Sequence, residues 1–304
     1  MTRRIWWMGL AGGLWLGACG GGTSPSGAEA GGSGEGDPTA DRFSFFLTSY
    51  PALHQLSGNP LGFGGDLRYG EADGLSGADK ICREIAESSA PGAGKRTWRA
   101  FLSATRGVDG QPVHAIDRIG PGPWYDRSGR LIAADVEALV STRPNGADPA
   151  IIDDLPNELG VPNHAPDGNI QYDNHDVLTG TGADGHLYKP DWSFTCHDWT
   201  SSQPMDGRPR VGHSWPRSGT PVPGSGHVPI AGSSAMTPRD NETEQMTAPD
   251  DSSEVLDNWM SALDEAGCAP GATFFEQGPP RLENPTVGSG GGYGGFYCFA
   301  LRER

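Results

Sequence analysis

The sequence predicts a loop-rich α+β domain, and three observations predict it. Ala78, Ile81, Cys82, Ile85 and Ala86 recur at the spacing of a helix that buries one face. Short apolar runs at 97–103 (Thr-Trp-Arg-Ala-Phe-Leu-Ser) and 295–301 (Gly-Phe-Tyr-Cys-Phe-Ala-Leu) have the length and residue types of strands. The chain of 304 residues carries 47 glycines and 26 prolines with only 35% hydrophobic residues, so its core is modest and its connections are long. Ser76 is placed to cap the helix, with Asp79 three residues on to close a capping box, and Gly92 and Gly94 to end it.

In chain order, residues 1–19 read as an export signal: Arg3 and Arg4 precede an apolar run that ends in Leu16-Gly17-Ala18-Cys19. That run is too short for a permanent membrane span. Residues 20–42, rich in Gly, Ser, Glu and Pro, read as a flexible tether. A domain over 43–304 comes next. Phe43 to Ser49 is a first strand expected to pair with the terminal strand near Tyr297, and 58–74 is a Gly-rich loop. Ala115 to Ile119 and Pro123 to Tyr125 read as short extended pieces. Asp135 starts a short helix that ends before Arg143-Pro144. A strand begins at Val177, and Trp192 to Trp199 reads as a strand carrying Cys196. Residues 219–250, rich in Pro, Gly, Ser and Thr, read as a long surface insertion. Asp251, Glu254, Val255, Leu256, Trp259 and Leu263 predict a late amphipathic helix ended by Gly267.

A net charge of −16 argues against nucleic acid and against electrostatic attraction to an anionic bilayer. Setting Cys19 aside leaves Cys82, Cys196, Cys268 and Cys298. An even number in an exported chain implies two disulfides, with three possible connectivities. The absence of a Cys-x-x-Cys pair disfavours a structural cysteine zinc site.

Seven motifs, in order, carry a resemblance: GADKIC at 77–82, TWRAFLS at 97–103, DRI at 117–119, DVEALVS at 135–141, FTCHDWTSS at 194–202, GHSW at 212–215 and GGYGGFYCFAL at 291–301. Together they make the chain resemble the endostatin-like branch of the C-type-lectin-like fold, as found in a bacterial surface lipoprotein family of unknown function. The tetrapeptide ending at Cys19 likewise resembles a lipobox, which implies diacylation of Cys19 and stable attachment to a membrane. The resemblance implies antiparallel strands with two to three helices and nested disulfides, Cys82 with Cys298 and Cys196 with Cys268. It departs from the endostatin pattern in the long insertion between Cys196 and Cys268.

The function expected from these residues is binding rather than catalysis: an extracytoplasmic module that recognises a glycan or protein at the cell surface. Its rivals are an enzyme on a related fold, of formylglycine-generating or metal-dependent type, and a structural envelope lipoprotein. Gln203 to Asp206 is the nearest match to the calcium loop of sugar-binding lectins, with one residue too many and no Trp-Asn-Asp after it. Oxygen-rich groups at Asp153, Asp154, Asn157 and Glu158, and at Asp167, Asn169, Asp173, Asn174 and Asp176, suit calcium, although solvated loop polarity accounts for them as well. No other cofactor is expected. His164, His175, His186 and His197 lack helical metal-ligand spacing and read as surface or capping histidines. Trp215 and Tyr293 are candidates for an aromatic binding face, with Trp199 and Trp259 assigned to the core. His197, Asp198 and Ser201 or Ser214 could suggest a hydrolase triad, but no nucleophile elbow accompanies them.

Overall fold

A nine-residue strand near the end of the chain, Gly292–Ala300, is the axis on which the other elements assemble. The computed structural model describes residues 42–164, 174–215, 258–274 and 280–302, all within a unit running from Gly36 to Arg304. In order the elements are β1 (Phe45–Leu47), α1 (Tyr50–Ser57), α2 (Gly74–Ser89), β2 (Trp98–Ala100), α3 (Ala115–Arg118), β3 (Trp124–Tyr125), β4 (Leu131–Ala133), α4 (Val136–Leu139), β5 (Asp176–Leu178), β6 (Arg210–His213), β7 (Leu263–Asp264) and β8 (Gly292–Ala300). The architecture is mixed α+β.

β1 and β2 both run antiparallel to the C-terminal half of β8, with Leu47 opposite Tyr297 and Ala100 opposite Cys298. The expected pairing of the first and last strands is therefore present. The N-terminal half of β8 pairs with β5 instead, and this contact is parallel, a departure from the all-antiparallel expectation. The sheet continues antiparallel through β6 to β7, while β3 and β4 form a separate ribbon.

Alternation along β8 sorts its side chains into two cores. Phe296, Cys298 and Ala300 face α2, Trp98, Phe43 and Phe46. Tyr297 and Phe299 face Phe45, Leu47, Phe101, Trp124, Ile132 and Trp259. Trp199 and Trp259 are fully buried, and their indole N–H groups donate to Ser103 O (2.7 Å) and Leu139 O (3.0 Å). Disulfides join Cys82 to Cys298 and Cys196 to Cys268, the pairs named from the resemblance. Two disulfides fit an oxidising, extracytoplasmic compartment. Among the described residues no helix is long and apolar enough to cross a membrane.

Several local expectations are overturned. α2 begins three residues earlier than predicted, because Asp73 caps it by accepting from Ser76 N and Ser76 Oγ, both at 2.8 Å. Asp79 is thereby released for a tertiary role. One of its oxygens accepts from Ala100 N (2.8 Å) and Arg118 (2.8 Å), the other from Arg99 (2.9 Å), tying α2 to β2 and α3. Burial raises the Asp79 carboxyl above its ordinary range, against the opposing pull of Arg118.

α1 has no counterpart among the expected elements, although Ser49 caps it, Pro51 occupies its first turn and Gly58 closes it at φ 64°. Ala115–Arg118 is a helical turn rather than an extended piece. Asp135 does cap α4, accepting from Ala138 N at 2.9 Å.

The strand expected over 192–199 is absent. Trp192–Thr195 is a 3-10 turn, and Cys196, His197, Asp198 and Trp199 come after it with φ of 46°, 58°, 56° and 64°. Four successive left-handed residues are costly. Tertiary bonds hold them: Asp198 accepts from Thr105 N (2.6 Å) and Thr105 Oγ1 (2.8 Å), and Cys196 is tied to Cys268. Of the expected late helix, residues 251–257 lie outside the described residues, and 258–264 are not helical: Asn258 accepts from Met260 N and Ser261 N, and Leu263–Asp264 is β7. Cys19 and the 219–250 insertion also lie outside the described residues.

Candidate functional site

The polar end of the fold is built where β5, β6 and the start of β8 meet. Antiparallel register sets Asp176 opposite His213, and His175 directly precedes the strand. A register shift between Asp176 and Val177 accompanies the pairing of β5 with β8. Asp176 Oδ1 lies 3.1 Å from His213 Nε2 and 3.4 Å from His175 Nε2, and all three side chains have no solvent exposure. The imidazole rings stand edge to face with centroids 4.3 Å apart. Trp215 closes one side, 5.8 Å from His175 and 4.0 Å from His164.

Glu265 is fully buried beside this group and accepts from Gly290 N with both oxygens, at 3.2 and 3.0 Å. Burial first, and the neighbouring Asp176 second, push its carboxyl well above the usual range. Burial would raise Asp176 too, but His175 and His213 overcome it and hold that carboxyl low. The two neighbouring carboxyls are thus pushed in opposite directions, as expected of like charges this close in a dry site.

The candidate residues from the sequence scatter. Asp176 enters the centre, whereas Asp153, Asp154 and Glu158 do not join it. Asp154 accepts from His164 N at 3.1 Å. Glu158 accepts from Ser49 N (3.0 Å) and Ser49 Oγ (2.6 Å), so it secures the entry to α1. Asp153 is buried as well. Asn157 shapes its own turn by accepting from Leu159 N. Asn174 donates to Asn163 O, while Asp167, Asn169 and Asp173 lie outside the described residues.

Tyr293 is 2% exposed, and its hydroxyl donates to Thr48 O (2.8 Å) while accepting from Asn163 (2.7 Å); it belongs to the core rather than to a binding face. Trp215 is likewise interior, packed against His164 and His175. Gln203 is exposed, and Asp206 accepts from Ser201 Oγ, which fixes the loop. His164 and His175 are interior, not surface, histidines. His186 does lie at the surface, its ring 4.7 Å from that of His114. Asp198 serves Thr105 and Thr195, which removes it from any triad with His197. His213 was legible only as part of the GHSW run.

A second feature is cationic. A groove of about 500 Å³ beside α2 is lined by Lys80, Arg83, Lys95, Arg96 and Arg99, with Glu71 and Asp79 as its acids. A neighbouring groove of about 750 Å³ shares Arg96 and adds Arg42, Arg302 and Tyr125. Seven of the chain's 22 cationic residues therefore line two adjoining grooves in a protein of net charge −16. Scans of protein-family models, curated proteins and solved structures return no match for the chain.

Proposed function

We propose that the chain is an exported, non-catalytic binding module of the C-type-lectin-like, endostatin-like kind, held at a membrane by lipidated Cys19 and recognising an acidic glycan or protein segment at the cell surface. The observation that carries this reading is the concentration of Lys80, Arg83, Lys95, Arg96 and Arg99 along one groove of an acidic chain. Local potential, not net charge, decides what a surface attracts. Arg83 and Lys95 are exposed, whereas Lys80 is paired with Glu71 (3.1 Å) and Arg99 with Asp79 (2.9 Å). The first two would meet the ligand's charges directly, and the paired residues would hold the groove in shape. The nested disulfides and the flanking of β8 by β1 and β2 support the architecture. A redox enzyme of the formylglycine-generating type would need free cysteines, and these four are paired with each other.

The test is binding to arrays of sulfated, carboxylated and neutral glycans and to acidic peptides. Retention on the acidic members, weakened by salt as screening demands and by Arg83→Glu with Lys95→Glu, supports the reading. Equal retention on neutral members, or none on any, overturns it. Fatty-acid labelling that disappears in Cys19→Ser checks the anchor separately.

A further inference from the structure

We infer that His175, Asp176 and His213 form a closed binding site for one divalent transition-metal ion of the zinc class, which pins β5 to β6 beneath Trp215.

The geometry is that of a ligand set. A tetrahedral ion with bonds of about 2.0 to 2.1 Å holds its ligand atoms about 3.3 Å from one another. Nε2 of His213 and Nε2 of His175 stand 3.1 and 3.4 Å from the same Asp176 oxygen. All three ligand atoms fall within 4.8 Å of each other, a constellation found once among the described residues. Asp176 is 1% exposed, its carboxylate shut away from water with His175, His213 and Glu265 packed against it. A buried carboxylate in that condition is costly unless a charge is set against it.

The surroundings are built for close approach. A Cβ placed on Gly290 would stand 2.5 Å from Asp176 Oδ2, so only glycine lets the chain pass there. The same glycine donates its N–H to Glu265, which lies against Asp176 and can turn toward an ion as a further oxygen ligand. Two imidazoles with one carboxylate suit zinc, iron, cobalt or nickel, whereas calcium and magnesium take oxygen ligands, so the site replaces the calcium expectation attached to Asp176. Full burial matches a structural ion rather than a catalytic one, which keeps a position open to solvent or substrate. Binding at such a site is linked to folding, because the unfolded chain cannot hold the three groups together.

The experiment uses the whole exported chain with its disulfides formed. After chelation and dialysis, cobalt(II) is titrated in, then zinc, with metal content and thermal unfolding followed in parallel. The expected result is about one equivalent per chain, with the visible absorption of tetrahedral cobalt and a Tm raised by metal and lowered by chelator. Asp176→Asn and His213→Gln abolish the cobalt bands, while His186→Ala, at an exposed histidine beside His114, leaves them intact. Cobalt bands that survive Asp176→Asn or vanish with His186→Ala overturn the inference. So does a folded wild-type chain that gives neither bands nor a metal-dependent Tm, an outcome independent of how the variants fold and of the glycan-binding result.

Discussion

The two halves of β8 solve the problem of burial in opposite ways. From Phe296 to Ala300 the strand is lined on both faces by large apolar groups: Phe299 packs against Phe45, Trp124 and Phe101 with ring centroids 5.0, 5.4 and 5.6 Å away. From Gly292 to Gly295 it is mostly glycine: Asp176 lies against Gly292, Thr48 O against Gly295 and as acceptor of the Tyr293 hydroxyl, and Val287 and Leu178 pack at Gly294. Small residues at one end let polar groups come close, while aromatic residues at the other exclude them. The apolar half supplies stability through area removed from water and a covalent link. The polar half supplies a defined geometry whose stability depends on every group finding a partner. One strand can hold both because its side-chain period and its composition change independently.

Four measurements would break or sharpen this contrast. Joint Cys82→Ser and Cys298→Ser removes a link spanning 216 residues, and the chain-entropy model gives a loss of about 5 kcal/mol, read as a fall in the denaturant midpoint. A loss no greater than that from opening the 72-residue Cys196–Cys268 link would show that the apolar half does not depend on its staple. Phe299→Ala leaves a cavity among four aromatic rings and should cost about 3 to 5 kcal/mol by the same assay. Tyr293→Phe, in the polar half, takes away only a hydroxyl bonded to Thr48 and Asn163 and should cost about 1 to 2 kcal/mol. If those two variants lost equal stability, the division of β8 would fail.

The smallest effect concerns pH. Burial is the main cause of a Glu158 carboxyl held above its ordinary range, partly offset by Ser49. The folded chain therefore keeps a proton that the unfolded chain releases above a pH of about 4.3. The contribution of Glu158 to stability is complete below that value and falls as pH rises through the higher folded one. Glu158→Gln, which cannot ionise, should flatten the decline in a series of unfolding curves across mildly acid to neutral pH. An unchanged slope would place its cause elsewhere.

Much of the frame was legible because the signals are local. The buried stripe of α2, the pairing of β1 with the last strand and the Asp135 cap each rest on residue patterns only a few positions long. α1 carries the same kind of signal, Ser49 before Pro51 with Gly58 at the end, but its apolar stripe is too sparse to stand out. Trp192 to Trp199 misleads for a different reason. Its aromatic and threonine content fits a strand, but Asp198 and Cys196 answer to Thr105 and Cys268, far away in the chain. Asp79 fits a capping box, yet its carboxyl is engaged by Arg118 and Ala100.

The sequence by itself determined a helix with one apolar face, two strands able to meet, and cysteines sufficient for two bonds, since propensity and periodicity act over a few residues. It also showed Asp176 among oxygen donors and His213 inside a short motif. Only the tertiary structure put His213 beside the His175-Asp176 pair, because antiparallel register between β5 and β6 brings Asp176 and His213, 37 apart in sequence, to one point. It alone also gathered the cationic residues of α2 and the segment after it along one groove. Charge and ligand chemistry act through space, and the spacing along a chain with loops this long carries little record of distance.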